Sequence, residues 1–232
     1  MTETSHHIAH NFASIVATST AGYDVAQIDA TRENDSLVGS RDKTTINTRN
    51  ASVELNLFDR VNVVADFTGH DSAELVGTSG NDQFIVDSES ATAILEGGSI
   101  IRTVGFGDVS FDGGGGFDAG FYQGSAGVES LQVNNDRSIF RTDNIRTVAR
   151  ETQATRFDGQ GGGDSVFIDD ATSLDVLADL GDKAVAVLER HQTVEASGFN
   201  FLEVQAVDGV IATYDMERVD FESALRGQWE SR

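Results

Sequence analysis

Short runs in which apolar and polar residues alternate fill most of this chain. In its first part they fall at Ser14–Thr18, Val25–Ile28, Ser36–Val38, Ser52–Leu57 and Val61–Ala65. Alternation with a period of two predicts half-buried strands, because successive side chains of a strand point to opposite faces. Between the runs, Gly next to Asn or Asp predicts tight turns. The stretch Val64–Val86 shows the unit clearly: Gly69-His70-Asp71 precedes the alternating Ala73 and Leu75, and Gly80-Asn81-Asp82 precedes Phe84 and Val86. Helical periodicity appears near the C-terminus, where Phe221, Ala224 and Leu225 share one helical face and Trp229 lies a turn further. This predicts a short helix over Glu222–Gln228 that covers the last coil.

The turns recur at a fixed interval. Asp24, Asp71, Asp118 and Asp164 form one column, at steps of 47, 47 and 46. Asp35, Asp82, Glu129 and Asp175 form a second, at a constant offset of 11 from the first. Apolar columns keep the same step: Ala26, Ala73, Gly120, Val166; Ile28, Leu75, Tyr122, Ile168; and Leu37, Phe84, Leu131, Leu177. A further column is Leu57, Val104, Val148, Val194, at steps of 47, 44 and 46. Ile101-Arg102-Thr103-Val104 returns as Ile145-Arg146-Thr147-Val148. A fixed period of this length predicts a solenoid, in which each unit buries its apolar face against the next. Equivalent residues are then expected to stack like on like. With five or six short strands and no long amphipathic helix in each period, the expected fold is all-β: a right-handed parallel β-helix (solenoid) of about 47-residue repeats, roughly two coils each at about 20 to 25 residues per coil. An antiparallel sandwich or barrel is the alternative. The predicted organisation is a polar tail over 1–11, a solenoid over 12–221 (repeats 12–58, 59–105, 106–150, 151–200 and a partial 201–221), and a C-terminal cap or short helix over 222–232.

Composition narrows the partners. The 232 residues carry 16 Lys and Arg against 38 Asp and Glu, a formal net charge of −22, which argues against nucleic acid or an anionic membrane as partner. Without cysteine there is no disulfide, thiolate metal site or cysteine nucleophile. Proline is absent and glycine numbers 24, so the turns are built from Gly, Asn, Asp and Ser. No apolar run approaches the roughly 20 residues that span a bilayer, so no membrane insertion is expected. Met1–Asn11 lacks the basic start and apolar middle of a secretory signal. His6, His7 and His10 lie there, and a flexible tail is a simpler reading of them than a metal site.

The run Leu75-Val76-Gly77-Thr78-Ser79-Gly80-Asn81-Asp82-Gln83-Phe84 resembles the Gly-x-x-Gly-Asn-Asp-x-apolar turns of RTX, or haemolysin-type calcium-binding, repeats. The wider unit, exemplified by Thr20–Asp29, is similar to tandem repeats of large acidic bacterial surface and secreted proteins. The family's motif returns every nine residues, whereas here the glycine turns come in pairs per repeat. The resemblance implies an extracellular or cell-surface setting and calcium held by turn carboxylates, for which Asp24, Asp35, Asp71, Asp82, Asp118 and Asp164 are the candidates. Calcium takes oxygen ligands of this kind. The residues themselves also allow a plainer role, with each Asp accepting N–H groups of its own turn.

No catalytic constellation stands out. Gly113–Gly116 and Gly159–Gly163 lack the Lys-Ser/Thr of a phosphate loop, and Gly124-Ser125-Ala126-Gly127 lacks nucleophile-elbow spacing. Tyr23, His70, Phe117, Phe121 and Tyr122 lie beside turns where a sugar could pass, while Phe67 and Phe111 are expected to pack. The expected function is therefore structural and non-catalytic: a homo-oligomer or filament acting as a fibre or adhesin building block. The alternatives are a polysaccharide-binding or polysaccharide-degrading β-helix and a calcium-dependent module.

Overall fold

The computed structural model describes residues 13–177, 183–215 and 221–231. The tail predicted over 1–11, with its histidines, lies outside them. The described residues are all β. Two single strands, β1 (Ser14–Thr18) and β2 (Val25–Asp29), lead into a three-stranded meander, β3 (Ser36–Gly39), β4 (Lys43–Asn47) and β5 (Ser52–Asn56). The pattern then repeats: singles β6 (Arg60–Val64) and β7 (Ser72–Val76), followed by the meander β8 (Gln83–Val86), β9 (Ser90–Ile94) and β10 (Ile100–Val104). Next come singles β11 (Asp108–Asp112) and β12 (Ala119–Gln123), then the meander β13 (Ser130–Asn134), β14 (Arg137–Arg141) and β15 (Arg146–Arg150). After β16 (Ala154–Asp158), the long β17 (Ser165–Leu177) supplies a single strand with its first half and opens the last meander with its second, completed by β18 (Lys183–Leu188) and β19 (Thr193–Ser197). Strands β20 (Phe201–Ala206), β21 (Ile211–Asp215), β22 (Glu222–Arg226) and β23 (Gln228–Ser231) finish the chain.

Pairing sorts the strands into two ladders. The first runs β1-β5-β4-β3-β7-β11-β15-β14-β13-β17-β20-β22. The second runs β2-β6-β10-β9-β8-β12-β16-β19-β18-β17-β21-β23. The two halves of β17 join them. The chain winds from one ladder to the other as a β-solenoid of about five turns, a parallel β-helix with an antiparallel meander let into each turn.

The winding corrects the expected stacking. Leu75 lies beside Phe111 and Phe84 beside Gly120, a sequence step of 36 between parallel neighbours. A coil is therefore longer than half a repeat, and the expected two coils per repeat do not form. Each repeat holds five strands, an odd number, and its meander therefore falls in the first ladder (β3–β5), then the second (β8–β10), then the first again (β13–β15). Residues one repeat apart occupy opposite ladders instead of stacking on each other. The predicted C-terminal helix is also overturned: Glu222–Arg226 pairs in parallel with β20, and Gln228–Ser231 with β21. Those strands occupy the end where the helix was expected.

Alternation places one side of each ladder in a shared core. Rings from both ladders interdigitate there: Phe111 stacks on Phe84 at 5.0 Å, Tyr122 meets Phe84 edge-on at 6.3 Å and Phe140 at 5.4 Å, and Phe140 meets Phe157 at 5.9 Å. The Tyr122 hydroxyl shares a 2.5 Å hydrogen bond with Ser138 Oγ, so it is not buried without a partner. Small residues of the middle strand, Ala91 and Ala93, leave room for the rings. The expected apolar columns of Ala26 and Ile28 and their equivalents point into this core. The column begun at Leu57 does not hold together: Leu57 is 57% exposed at φ 61° while Val194 is fully buried. Leu57 opens the short turn that follows a meander, a place taken by Gly105, Glu151 and Gly198 in the later copies, all at positive φ. Phe111 packs as expected; Phe67, at φ 62° and 46% exposed, does not.

Candidate functional site: the carboxylate ladders of the long turns

Each long turn leaves a strand, makes a loop and re-enters the next strand through an acidic residue. Asp35, Asp82 and Glu129 close their own turns. Asp35 accepts Thr31 N–H at 2.6 Å and the Thr31 hydroxyl, Asp82 accepts Thr78 N–H at 2.5 Å, and Glu129 accepts the Ser125 hydroxyl at 2.6 Å and its N–H at 3.1 Å. Asp82 Oδ1 also accepts Glu96 N–H at 2.6 Å. This is the plainer role foreseen from sequence, an Asx- or ST-type turn closed by a side chain.

The first column does something else. Asp71 Oδ1 accepts the N–H of Asp35 at 2.7 Å, Asp118 Oδ1 that of Asp82 at 2.7 Å, and Asp164 Oδ1 that of Glu129 at 2.8 Å. Each donor lies 35 or 36 residues earlier in sequence. These carboxylates therefore tie one coil to the next. The preceding asparagines reinforce the link, since Asn34 Oδ1 accepts His70 N–H and Asn81 Oδ1 accepts Phe117 N–H. The predicted residues thus come together as the pairs Asp35–Asp71 and Asp82–Asp118. Asp164 pairs with Glu129, and Asp24 is apart from all of these: its N–H donates to Asp59 Oδ2 at 2.7 Å, and its own carboxylate accepts the Ser19 hydroxyl. Asp59, Gln153 and Asn200 extend the ladders, the last two by accepting the N–H groups of Asp118 and Asp164. None of these three was singled out from sequence. A search for an acid or amide 35 or 36 residues after each turn carboxylate finds them.

Glycines make the close approach of coils possible. A Cβ at Gly77 would lie 2.3 Å from Gly113 O and 2.7 Å from Asp82 Oδ2, and one at Gly159 would lie 2.3 Å from Gly198 O and 2.4 Å from Asp164 Oδ2.

Burial sets the electrostatics. Asp71, Asp118 and Asp164 are at most 1% exposed, and the Oδ2 of each has no hydrogen-bond partner among the described residues. Loss of hydration pushes the Asp118 carboxyl up to about 6, helped by the neighbouring Asp82 and Glu151 charges and opposed by the Asp82 N–H. Burial raises Asp164 as well, with Glu129 adding to the effect, and raises Asp71. At mildly acidic pH Asp118 and Asp164 hold protons that ordinary aspartates have lost.

The arrangement fits calcium only in part. Orphaned oxygens are present, but calcium takes about six to eight oxygens, and among the described residues no three or more His, Cys, Asp or Glu side chains are grouped to hold a metal. Backbone carbonyls would have to supply the remaining ligands. No family model matches the chain, and no curated protein or solved structure is significantly similar to it.

Proposed function

We propose that this protein is a structural, non-catalytic building block of an extracellular or cell-surface assembly, associating with copies of itself end to end as a fibre or adhesive array. One observation carries the reading: among the described residues both ladders have open edges, β1 and β2 at one end and β22 and β23 at the other, each paired on one side only. An open edge presents unpaired N–H and C=O groups that template a further strand. The two ends are different surfaces, so a contact between them is head-to-tail and does not close, which yields a filament. Half-buried apolar side chains at the ends, Ile15 and Ala17 in β1 and Leu225 and Trp229 beyond β21, gain burial on contact. The resemblance to repeats of bacterial surface proteins supports the setting. Sedimentation and electron microscopy across a range of concentrations test the proposal; a strict monomer at high concentration, with and without calcium, overturns it.

A second reading, calcium-dependent folding, is favoured by the three orphaned oxygens of Asp71, Asp118 and Asp164. Thermal melts in EDTA and then in millimolar calcium test it, because an ion bound only by the folded chain raises Tm with concentration. Identical melts sink it.

A further inference from the structure

The outer face of the first ladder carries a feature at odds with the protein's charge. Arg137 and Arg141 of β14 stand directly opposite Arg150 and Arg146 of β15. All four are exposed. They make up a quarter of the 16 basic residues in a chain of net charge −22. Like charges facing each other across strands destabilise a sheet. On the far side of β15, Asp108 and Asp112 of β11 stand opposite Arg146 and Arg150 and offset them, whereas Arg137 and Arg141 face Asn134 and Ser130 of β13. Pairing within the sheet therefore accounts for the β15 arginines and not for those of β14. Neutralisation within the ladder is confined to the β15 side of the quartet. Arg146 lies 3.5 Å from Asp108 in a solvent-exposed pair, while Arg137, Arg141 and Arg150 have no ion pair or side-chain hydrogen bond among the described residues.

We propose that this face binds a linear polysaccharide bearing carboxylate or sulfate groups. The quartet forms a rectangle, about 5 Å across the strands and about 14 Å along them, at about 3.4 Å per residue step. It offers two pairs of planar donors suited to oxyanions at a separation that a chain with regularly spaced anions can bridge. Shallow grooves flank it. One, of about 270 Å³, is bordered by Ser72, Asp108, Ser110, Arg137, Arg146 and Arg150; the other, of about 340 Å³, by Ser130, Gln132, Arg141, Phe167, Asp169 and Glu203. Hydroxyls and an amide there can meet sugar hydroxyls. Phe167, 36% exposed and backed by Phe201 at 5.9 Å, offers a ring to the apolar face of a sugar.

The same face is poorly suited to a protein partner. Its central outward apolar pair, Ile139 and Val148, is already only 5% and 7% exposed, which leaves a protein partner little apolar surface to bury there. Nucleic acid, with one charge per about 1.7 Å of duplex axis, meets stronger repulsion from the rest of the molecule than a sparsely charged glycan does. The proposal is independent of end-to-end assembly, which uses the ladder edges.

Binding of the full chain to polygalacturonate and to heparin, with neutral dextran as control, tests it by calorimetry at low and at physiological salt. We expect binding to at least one anionic polymer, weakened by salt, and none to dextran; the tighter polymer identifies the preferred anion. The double variant Arg137→Gln/Arg141→Gln should lose about a hundredfold in affinity, tenfold for each charge-assisted contact, while melting no lower than the parent. Arg32→Gln/Arg49→Gln removes the same charge from two exposed turns away from this face and should bind like the parent. Absence of binding to both polymers, or equal losses in the two variants, overturns the proposal. So does a result in which the β14 substitutions change self-association and leave glycan binding intact, since the face would then serve contacts between copies.

Discussion

Replacing Asp118 with asparagine should stabilise this protein at neutral and alkaline pH. In the native fold Asp118 Oδ1 accepts the Asp82 N–H, and Asp118 Oδ2 is buried without a partner. Asparagine keeps the first contact. An amide nitrogen in place of Oδ2 carries no charge into that buried position.

The magnitude follows from the titration. A carboxyl moved from 3.8 to about 6 on folding binds its proton more tightly in the folded than in the unfolded chain. Its contribution to stability is fully present below 3.8 and is lost as pH rises through about 6, with a total loss of about 3 kcal/mol. Asp118→Asn carries no titrating proton and avoids that loss. At pH 8 it should gain about 1 to 3 kcal/mol, the lower figure allowing for a buried amide, which in a chain of this size is roughly 2 to 12 °C in Tm. Near pH 4 the gain should vanish. Melts of both proteins by circular dichroism from pH 4 to 8 give the difference curve, and taking the difference removes the general repulsion among the other carboxylates. A variant that melts lower than the parent at pH 8, or a difference that does not change between pH 4 and 8, would refute the reasoning.

Other substitutions probe the same architecture. Gly159→Ala should cost at least about 1 to 3 kcal/mol, roughly the penalty of overpacking, because its Cβ meets backbone and carboxylate oxygens; denaturant midpoints measure it. Leu57→Gly should be neutral or stabilising by up to about 1 kcal/mol, since left-handed backbone strain is relieved while the unfolded chain gains freedom, and the same denaturation series reads it. Excising one whole sequence repeat, from Arg60 to Gly107, should leave a cooperative fold, because the next repeat takes the place of the lost one with the ladders exchanged. Excising the shorter piece from Ser72 to Gly107 should not, because it removes a meander without restoring the alternation; circular dichroism melts of the two deletions distinguish the cases.

The strands were legible wherever an apolar residue alternates with an exposed one, as in Val25–Ile28 and Val61–Ala65. The middle meander strand Lys43–Asn47 was not: it reads Lys-Thr-Thr-Ile-Asn, and its buried Thr44 looks polar in sequence. Missing that strand hides the fold-back that lengthens each coil, so one repeat is taken for two short coils. At the C-terminus, Phe221, Ala224 and Leu225 mimic a helical stripe, but β20 offers Glu222–Arg226 a ready edge, and pairing with it overrides local periodicity.

The carboxylate pairs illustrate how topology turns a sequence period into contacts. Two acidic columns, offset by 11 and each returning at every 47th position or close to it, look like two separate stacks. If equivalent residues stacked, Asp24 would sit under Asp71 and Asp35 under Asp82. The odd number of strands per repeat sends those equivalents to opposite ladders instead, and what meets Asp35 is Asp71, from the other column of the following copy. The period of 47 less the offset of 11 leaves 36, which is the separation of Asp35 from Asp71 and of Asp82 from Asp118. The stacking step was therefore written in the chain as a difference between two spacings. It also explains why the two columns behave differently: Asp35, Asp82 and Glu129 of the second end their own turns and find donors there, while Asp71, Asp118 and Asp164 of the first face the preceding coil, which gives each of them one N–H. The carboxylate oxygen left over is buried with no donor, and that burial raises the proton affinity of Asp71, Asp118 and Asp164; on the second reading the same oxygens are where calcium acts.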